Sequence, residues 1–246
     1  MLRYYTPKFL FRRYEVLKKI KDGYHFLEIG PGRLSLTEDI LNHFSIGTLV
    51  EWNPLIKEIY HNLPELTKGR LNLIIDDFMA LHMNSTYDCI ISCEVMEHIE
   101  DDSGFIDKIY DLLKEGGQII LSVPAHKRLW SMDDDSVGHM RRYEKNELYD
   151  LISRKKFRYI NLISYGFPFV NILRLLRIFL AGRLYKDSVK MSKRKRSILS
   201  GISPISAILL TWQPIVNKYS VYPFCVISSV FNNLDLSDSY IITARK

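Results

Sequence analysis

The stretch F-L-E-I-G-P-G-R-L-S-L-T, residues 26–37, indicates the fold more directly than any other part of this chain. Residues 24–29 form an apolar run of strand length that ends at the sequence G-P-G at 30–32. The next segment, residues 35–44, has apolar residues close to helical spacing, which predicts a helix. A turn through glycines from a strand into a helix presents backbone N–H groups and the positive helix end to a ligand. We therefore predict an α/β domain with a ligand at this turn.

Two acidic residues at strand ends limit what the ligand can be. A dinucleotide-binding turn needs a third glycine at position 35, where this chain has Ser35. Glu28 lies just before Gly30 and Gly32, where its carboxylate can face a cationic amino group. Glu51 ends a second predicted strand, where an acid can hold the two hydroxyls of a ribose. The turn therefore fits a nucleoside cofactor other than a dinucleotide.

Acid, glycine, glycine and second acid at this spacing resemble motif I and the ribose-binding acid of class I S-adenosylmethionine (SAM) methyltransferases. The resemblance implies that these four residues bind SAM as the cofactor. Leu34 departs from the family pattern, which usually has a third glycine at this position. The family also places an acid and an apolar residue at the adenine, which here are Asp77 and Phe78 after the third strand. Ser92, near the end of the fourth strand, is expected beside the cofactor as well.

The order of the predicted elements agrees with this family. Strands and helices alternate along the first half of the chain, which indicates parallel strands joined by right-handed crossovers. The resemblance implies a Rossmann-like seven-stranded α/β sheet in the order 3-2-1-4-5-7-6, in which only strand 7 is antiparallel. SAM would then lie across the carboxyl ends of strands 1 to 4. The predicted strands lie at residues 24–29, 48–51, 71–75, 87–92, within 112–123, at 158–164 and at 239–244, after a first helix at 6–20.

One domain accounts for the whole chain. A chain of 246 residues, 47% of them hydrophobic, can bury a full core, so we expect a single methyltransferase domain over residues 1–246. Residues 167–237 form a helical, basic and apolar insertion between strands 6 and 7. Within it, residues 167–185 are apolar on most sides but interrupted by arginines, which predicts a helix lying in a membrane interface.

Charge divides the chain into an acidic and a basic part. Residues 1–153 hold 18 Lys and Arg against 25 Asp and Glu, which gives a net charge of −7. Residues 154–246 hold 16 Lys and Arg against 3 Asp and Glu, which gives +13 and agrees with the total of +6. Residues 183–196 contain seven positive residues against one acid, and residues 197–234 contain a single charge. Basic and apolar segments placed side by side favour an anionic membrane surface.

These patterns predict a peripheral protein on the cytoplasmic face of a membrane. The three cysteines, Cys89, Cys93 and Cys225, have no paired spacing, which favours a reducing cytosol. The N-terminus lacks the uninterrupted apolar stretch of a signal peptide. Two alternatives stay open for the insertion: it could form a soluble cap over the substrate site, or its basic run could bind nucleic acid. The second is disfavoured because the run lacks interleaved aromatic residues.

Two histidines follow strand 5 as candidates for the chemistry. Methyl transfer requires a nucleophile in line with the sulfonium and, for a hydroxyl, a group that removes its proton. Histidine suits that task at neutral pH. His139 is our first candidate for the general base and His126 the second. The phrase at 123–143 resembles a subgroup of these methyltransferases, often bacterial, that has V-P-A-H followed by G-H-x-R-R-Y.

The basic residues of the same phrase are candidates for substrate binding. Arg141 and Arg142 could grip a phosphate or a carboxylate of the substrate, together with Tyr143. The alternative is that the two arginines pair with the acidic residues at 133–135.

Glu94, Glu97 and His98 follow strand 4 with a spacing that could hold a divalent cation. On a helix, positions i, i+3 and i+4 lie on one face, so all three side chains would converge. This E-x-x-E-H pattern resembles that of the ubiquinone-biosynthesis O-methyltransferases, which are membrane-associated enzymes for which a metal role has been proposed. Many metal-independent relatives carry a comparable Glu-His pair. We therefore expect no metal.

The resemblance and the charge pattern together predict a SAM-dependent methyltransferase. The expected acceptor is an oxygen of a lipid, a quinone precursor or a lipid-linked glycan at the cytoplasmic membrane face. A soluble small-molecule or sugar methyltransferase, with the insertion as a substrate lid, is the competing enzyme. A methyltransferase-like binding protein without activity is the third alternative, and it would not need the intact acids and glycines of the cofactor site.

Overall fold

A computed structural model describes residues 5–181 and 215–246, and of residues 176–181 it describes only the helical backbone. Seven strands in these ranges form one sheet in the order β3-β2-β1-β4-β5-β7-β6, which confirms the order that the family resemblance implies. The first five pair in parallel, and β7 is antiparallel to both of its neighbours. The strands are β1 (Gly23–Ile29), β2 (Phe44–Glu51), β3 (Leu71–Ile75), β4 (Tyr87–Cys93), β5 (Leu113–Pro124), β6 (Arg158–Ser164) and β7 (Ser239–Arg245).

Helices connect the strands and cover both faces of the sheet. Two short 3₁₀ turns, Met96–His98 and Lys127–Leu129, follow β4 and β5. The α-helices are α1 (Pro7–Lys19), α2 (Thr37–Ile40), α3 (Ile56–His61), α4 (Glu65–Lys68), α5 (Asp102–Leu112), α6 (Met132–Val137), α7 (Lys145–Ser153), α8 (Phe169–Ala181) and α9 (Tyr222–Ser229).

The helix predicted for residues 35–44 is wrong in extent, since α2 covers only Thr37–Ile40. The chain turns immediately afterwards, and β2 begins at Phe44. Phe44 pairs with Gly23, so β2 lies alongside β1 over its whole length. The tertiary pairing thus outweighs the local helical pattern in this segment.

Two hydrophobic cores lie on opposite faces of the sheet. Because side chains alternate along a strand, Leu27 and Ile29 of β1 face one core and Phe26 faces the other. The first core includes residues of α5 and α7, and the second includes residues of α1, α8 and α9. The carboxyl ends of the parallel strands remain at one edge between these layers.

The described part of the insertion consists of α8 and α9, which pack beside α1. Phe169 and Tyr222 contact aromatic rings of α1. Several apolar side chains of the two helices are at least half exposed: Ile172, Leu175, Tyr222 and Ile227. The basic run at 183–196 and residues 197–214 of the apolar segment after it lie outside the described residues. No helix in the described ranges has the length and apolar character needed to cross a bilayer.

Candidate active site

The glycine turn after β1 has the conformation that its sequence predicts. Gly30 and Gly32 have φ values of 69° and 56°, in the left-handed region that glycine tolerates best. A Cβ on Gly30 would lie 2.4 Å from Cγ2 of Val95, so a larger residue does not fit there. Leu34 also has a positive φ, 58°, and its side chain is buried in the core. The turn therefore keeps a glycine-like backbone at Leu34, and core packing of the side chain offsets the strain.

Glu51 lies beside this turn at the end of β2. One carboxylate oxygen accepts a hydrogen bond of 3.0 Å from the Gly32 N–H, and the other accepts one of 3.0 Å from the Asn53 N–H. These two bonds orient the carboxylate at the carboxyl edge of the sheet. Each oxygen retains further acceptor capacity, which is what two ribose hydroxyls require.

Glu28 is buried in β1, directly before the turn. Its carboxylate accepts a hydrogen bond of 2.6 Å from the Thr37 hydroxyl. Burial raises the pKa of Glu28 to about 7, and the nearby Glu51 carboxylate adds to the increase. The charge of Glu28 therefore changes close to neutral pH.

We expect SAM binding to weaken in acid because of this shift. The ammonium of SAM prefers an ionised carboxylate, and Glu28 becomes protonated as the pH falls through about 7. If only the ionised form binds, SAM affinity at pH 6 should be about tenfold lower than at pH 8. Calorimetric titration across this range measures the change. In Glu28→Gln the affinity should be low and should not depend on pH, and the same slope in that variant would exclude Glu28 as its cause.

The two residues expected at the adenine, Asp77 and Phe78, differ in how exposed their side chains are. Asp77 is partly exposed after β3, and its carboxylate accepts a hydrogen bond of 2.9 Å from the Met79 N–H. The Phe78 side chain, by contrast, packs edge-on against Phe105 in the core. The contact of Phe78 with the adenine stays a prediction. Ser92 is buried near the end of β4, and its hydroxyl has no hydrogen-bond partner within the described ranges.

Glu94 stands at the end of β4 with a φ of 57° and does not join the helical face that its spacing predicts. Its carboxylate accepts hydrogen bonds of 3.0 Å from the Lys8 ammonium and 3.0 Å from the Ser122 hydroxyl. Arg12 lies 3.7 Å away. Burial alone would raise the pKa of Glu94, but the two cations outweigh it and hold the pKa well below its usual range. Glu94 thus ties α1 to the carboxyl edge of the sheet.

His139 lies close to the 3₁₀ turn after β4, although the two are distant in sequence. Gly138 ends α6 in the left-handed conformation, and the chain then turns back so that His139 reaches Asp134 of the same helix. Nδ1 of His139 lies 2.8 Å from Oδ1 of Asp134, and Nε2 lies 3.6 Å from Oε1 of Glu97. The Met140 N–H donates to the Glu97 carbonyl at 3.0 Å, which fixes the two loops together.

His98 completes this cluster. Its ring is packed edge-on against that of His139, with 4.9 Å between the centroids. Nδ1 of His98 lies 3.3 Å from the Gly138 carbonyl oxygen. Burial raises the pKa of Glu97, which is fully enclosed, and the neighbouring Glu94 carboxylate raises it further. The cluster therefore combines one buried carboxylate with two oriented imidazoles.

Asp134 is a residue that the sequence reasoning did not single out. It is 1% exposed and accepts hydrogen bonds of 2.8 Å from His139 and 2.8 Å from Arg142. Burial alone would raise the pKa of Asp134, but these two partners outweigh it and hold the pKa far below its usual range. The run of three acids at 133–135 was the only sequence signal, and it does not show which one is buried.

His126, the second candidate base, occupies a different place. It follows β5 with a φ of 58° and is 6% exposed. Its ring packs edge-on against Tyr240, and carboxylate oxygens of Glu144 and Asp235 lie 3.5 Å from its two nitrogens. His126 is thus enclosed between the ends of β5 and β7 and is more buried than His139.

Two of the three residues expected to bind the substrate are instead part of the interior. Arg142 is 4% exposed and bonds Asp134 and the Ala125 carbonyl, so the alternative of acidic pairing is the one the structure shows. Tyr143 is equally buried, and its hydroxyl donates to Asp102 at 3.1 Å. Substrate contacts of these two side chains stay predictions. Arg141 also pairs with Asp102, at 2.7 Å, but remains partly exposed.

A seven-stranded sheet of this order, with a glycine turn and acids at the ends of β1 and β2, defines a nucleoside-cofactor enzyme of the class I methyltransferase type. The chain belongs to this family of SAM-dependent methyltransferases. A family model described as a methyltransferase domain matches residues 2–162, which is well over half of the chain.

Curated relatives resemble the amino-terminal part of the chain. The ubiquinone biosynthesis O-methyltransferase of Schizosaccharomyces pombe is 27% identical over 103 residues, 41% of this chain and 38% of that protein. A malonyl-[acyl-carrier protein] O-methyltransferase of Ilyobacter polytropus is 31% identical over 105 residues, 42% of this chain and 40% of the relative. The chain thus matches less than half the length of these relatives.

Solved structures support the fold at low sequence identity. Phosphoethanolamine N-methyltransferase 2 of Haemonchus contortus, in complex with SAM, superimposes with a TM-score of 0.57 at 16% identity, covering 98% of this chain and 57% of that one. The N-methyltransferase NodS of Bradyrhizobium japonicum, in complex with S-adenosylhomocysteine, has a TM-score of 0.50 at 17% identity, covering 63% and 79%. At these identities the likeness concerns the fold, and SAM is the cofactor of the family.

Proposed function

We propose that this protein transfers the methyl group of SAM to an oxygen of a lipid, a quinone precursor or a lipid-linked glycan at the cytoplasmic face of a membrane. The observation that carries the proposal is the hydrogen-bonded pair of Asp134 and His139 beside the carboxyl edge of the sheet. In this pair the proton on Nδ1 is directed to the carboxylate, so Nε2 can accept a proton from a substrate hydroxyl. An oxygen acceptor also agrees with the names of the O-methyltransferases to which the chain is similar.

In the proposed reaction, one part of the site binds SAM and another part positions and deprotonates the acceptor. Glu28, Glu51 and the glycine turn hold SAM, whose sulfonium is already a strong electrophile. The protein must then hold the acceptor oxygen in line with the methyl group at about 3 Å. As the oxygen attacks, His139 takes its proton, and Asp134 stabilises the resulting imidazolium. His126 is the second candidate for this step.

Two sets of residues support the membrane location. Exposed apolar side chains lie on α8 and α9, including Leu175 and Ile227. The basic run at 183–196 follows α8 in the sequence, although it lies outside the described residues. Apolar and cationic groups in one insertion suit an anionic bilayer surface.

One contact favours the competing proposal of a soluble enzyme with a lid. Arg174 of α8 is 8% exposed, and its guanidinium donates to the Leu129 carbonyl. Its Nε also lies 3.7 Å from the Asp238 carboxylate. These contacts tie α8 to the loop after β5, next to the region proposed for the acceptor. The insertion could then close over a small soluble substrate.

A direct test is methyl transfer from isotope-labelled SAM. The full chain is incubated with labelled SAM and, in separate reactions, with a membrane lipid extract or with water-soluble small molecules, and mass spectrometry locates the label. Label on an oxygen of a lipid-extract component supports the proposal. Label only in the water-soluble fraction favours the lid alternative, and label on nitrogen or carbon would overturn the choice of oxygen.

Membrane binding can be tested without knowing the substrate. We expect the protein to float with anionic vesicles in low salt and to bind less as salt rises, because exposed charges more than about 8 Å apart are screened near physiological ionic strength. Neutralising Lys193, Arg194, Lys195 and Arg196 together should remove about 1 kcal/mol of attraction per residue. SAM affinity should not change, and it serves as the folding control. A wild-type chain that stays with the soluble fraction at low salt would exclude the membrane proposal.

A further inference from the structure

Three cationic side chains line a cleft at the edge of the sheet opposite the cofactor edge. Lys19 ends α1, Lys21 follows two residues later, and Arg245 is the last residue of β7. The cleft has a volume of about 310 Å³, which is enough for a small ligand. The other residues that line it within the described ranges carry no acid: they are Gln118, Tyr159, Thr243 and Ala244.

The cleft is remote from the cofactor edge. Gln118 pairs with Arg245 near the start of β5, whereas Pro124 ends that strand just before the loop that carries His126. Six residues of extended strand span about 20 Å. A ligand in the cleft is therefore separate from SAM and from the acceptor, and the inference drawn below does not rest on methyl transfer.

Lys19 is partly buried, and its hydrogen-bond partner is neutral. The ammonium donates to the amide oxygen of Asn161 at 2.9 Å. Burial lowers the pKa of Lys19, and the neighbouring Lys18 lowers it further, whereas Glu15 opposes the shift. The Glu15 carboxylate is itself buried and accepts a hydrogen bond of 2.8 Å from Asn232. An anion in the cleft would compensate the charge that Lys19 carries into the protein.

Gln118 fixes the segment that carries the two lysines. Its side-chain amide donates to the Lys19 carbonyl at 2.9 Å and accepts a hydrogen bond of 3.2 Å from the Lys21 N–H. The connection between α1 and β1 is thereby held against β5. Because this segment is already ordered, less free energy is lost when a ligand binds to it.

A bulge in β6 places an aromatic ring beside the cations. The pairing of β6 with β7 changes register between Arg158 and Asn161, and Tyr159 between them has a φ of 54°. Bulges commonly reorient a side chain, and a strained residue often serves a function. Tyr159 is 80% exposed, and Cζ of Arg245 lies 5.8 Å from the centroid of its ring. The ring thus orients the guanidinium and adds a hydroxyl donor to the cleft.

The cleft lies on the face of the sheet that carries α1, α8 and α9. Ile120 and Ile241 pack in the core that includes residues of these helices. Gln118 and Thr243 lie two residues away from them on the same strands, so their side chains point to the same face. The cleft therefore shares this face with the exposed apolar side chains of α8 and α9.

We infer that this cleft binds a phosphate group. A phosphate monoester carries a charge of about −1.5 to −2 at pH 7, so it compensates several cations better than a carboxylate does. Guanidinium and ammonium groups both donate charge-assisted hydrogen bonds to phosphate oxygens. Two sources have this chemistry. One is the headgroup of a phospholipid, which the shared face with α8 and α9 favours, and the other is a phosphate ester in solution.

Calorimetric titration of the full chain with inorganic phosphate tests the soluble form of the ligand. We expect one site per chain, with which acetate at equal ionic strength does not compete. In the double variant Lys21→Gln, Arg245→Gln the affinity should fall by about 10-fold or more, because charged hydrogen bonds are lost. The matched control is Lys57→Gln, which removes an exposed ammonium from α3 and should keep the wild-type affinity.

Vesicle flotation distinguishes the two sources. The same three chains are compared on phosphatidylcholine vesicles with and without phosphatidic acid, whose headgroup is a phosphate monoester. If the cleft holds a lipid headgroup, phosphatidic acid increases flotation of the wild type and of Lys57→Gln, and the double variant loses that increase. If only the affinity for inorganic phosphate falls in the double variant, the source is a soluble phosphate ester. The phosphate site is overturned if the double variant matches the wild type in both measurements, or if Lys57→Gln loses as much as the double variant.

Thermal unfolding separates a ligand site from a structural role of the same cations. Without phosphate, the double variant should unfold at the temperature of the wild type or higher, since it relieves repulsion between like charges. Phosphate stabilises proteins in general, so the quantity measured is the difference between chains in the same buffer. Phosphate should raise the unfolding temperature of the wild type and of Lys57→Gln more than that of the double variant. A double variant that is destabilised without phosphate and gains as much from it as the wild type would contradict the inference.

Discussion

Replacing His139 with alanine is expected to lower methyl transfer by about 100-fold or more, while the affinity for SAM stays close to that of the wild type. The physical reason is that His139 lies beside Glu97, in the region proposed for the acceptor, and not among the residues around the glycine turn. Single-turnover rates with labelled SAM and the acceptor measure the first quantity, and calorimetry measures the second.

His126→Ala is the matched control for this prediction. It removes an imidazole from the end of the neighbouring strand, where the ring packs against Tyr240. We expect a smaller loss of turnover and some loss of stability, because the ring is buried. If His126→Ala abolishes turnover while His139→Ala retains it, the role of base passes to His126. Wild-type turnover in both variants would exclude both histidines as the base.

Replacing Glu51 with alanine is expected to weaken SAM binding by roughly 1.5 to 3 kcal/mol, or about 10- to 150-fold. Two ribose hydroxyls lose their charged acceptor in this variant. The N–H groups of Gly32 and Asn53 also lose the carboxylate that they donate to, so the turn becomes less well ordered. Calorimetric titration with SAM measures the change directly.

The control for Glu51 is Glu58→Ala, which removes an exposed acid from the helix that follows. Wild-type affinity is expected there, because Glu58 lies on the exposed face of α3. Circular dichroism of Glu51→Ala checks that the chain still folds. Unchanged SAM affinity in a folded Glu51→Ala variant, or no SAM binding to the wild type, would reject the assignment of the cofactor site.

The sheet and its cofactor edge could be predicted because their signals are local. Each strand is a short apolar run, and the acids and glycines of the site stand at the ends of such runs. In a parallel sheet the carboxyl ends of neighbouring strands lie at one edge, so Glu28, Gly32 and Glu51 come together without any knowledge of side-chain packing. The strand order itself came from the family resemblance.

Residues near the acceptor were predicted less well because their partners are distant in sequence. The spacing of Glu94, Glu97 and His98 predicts one helical face, but a 3₁₀ turn forms there and α1 captures Glu94 through Lys8. Phe78 stands at the expected strand end, yet its ring packs in the core against Phe105. No local sequence pattern shows whether such a side chain will face the core or the cofactor edge of the sheet.

The sequence by itself determined the strands, the glycine turn and the acids expected at the cofactor, since regular backbone periodicity places these groups at one edge. Only the tertiary structure decided which residues surround the acceptor region. Gly138 turns the chain after α6, and a backbone hydrogen bond to Glu97 then fixes His139 beside the turn after β4. Burial also contributed, because an acid enclosed in the interior needs a partner, as Asp134 has in Arg142.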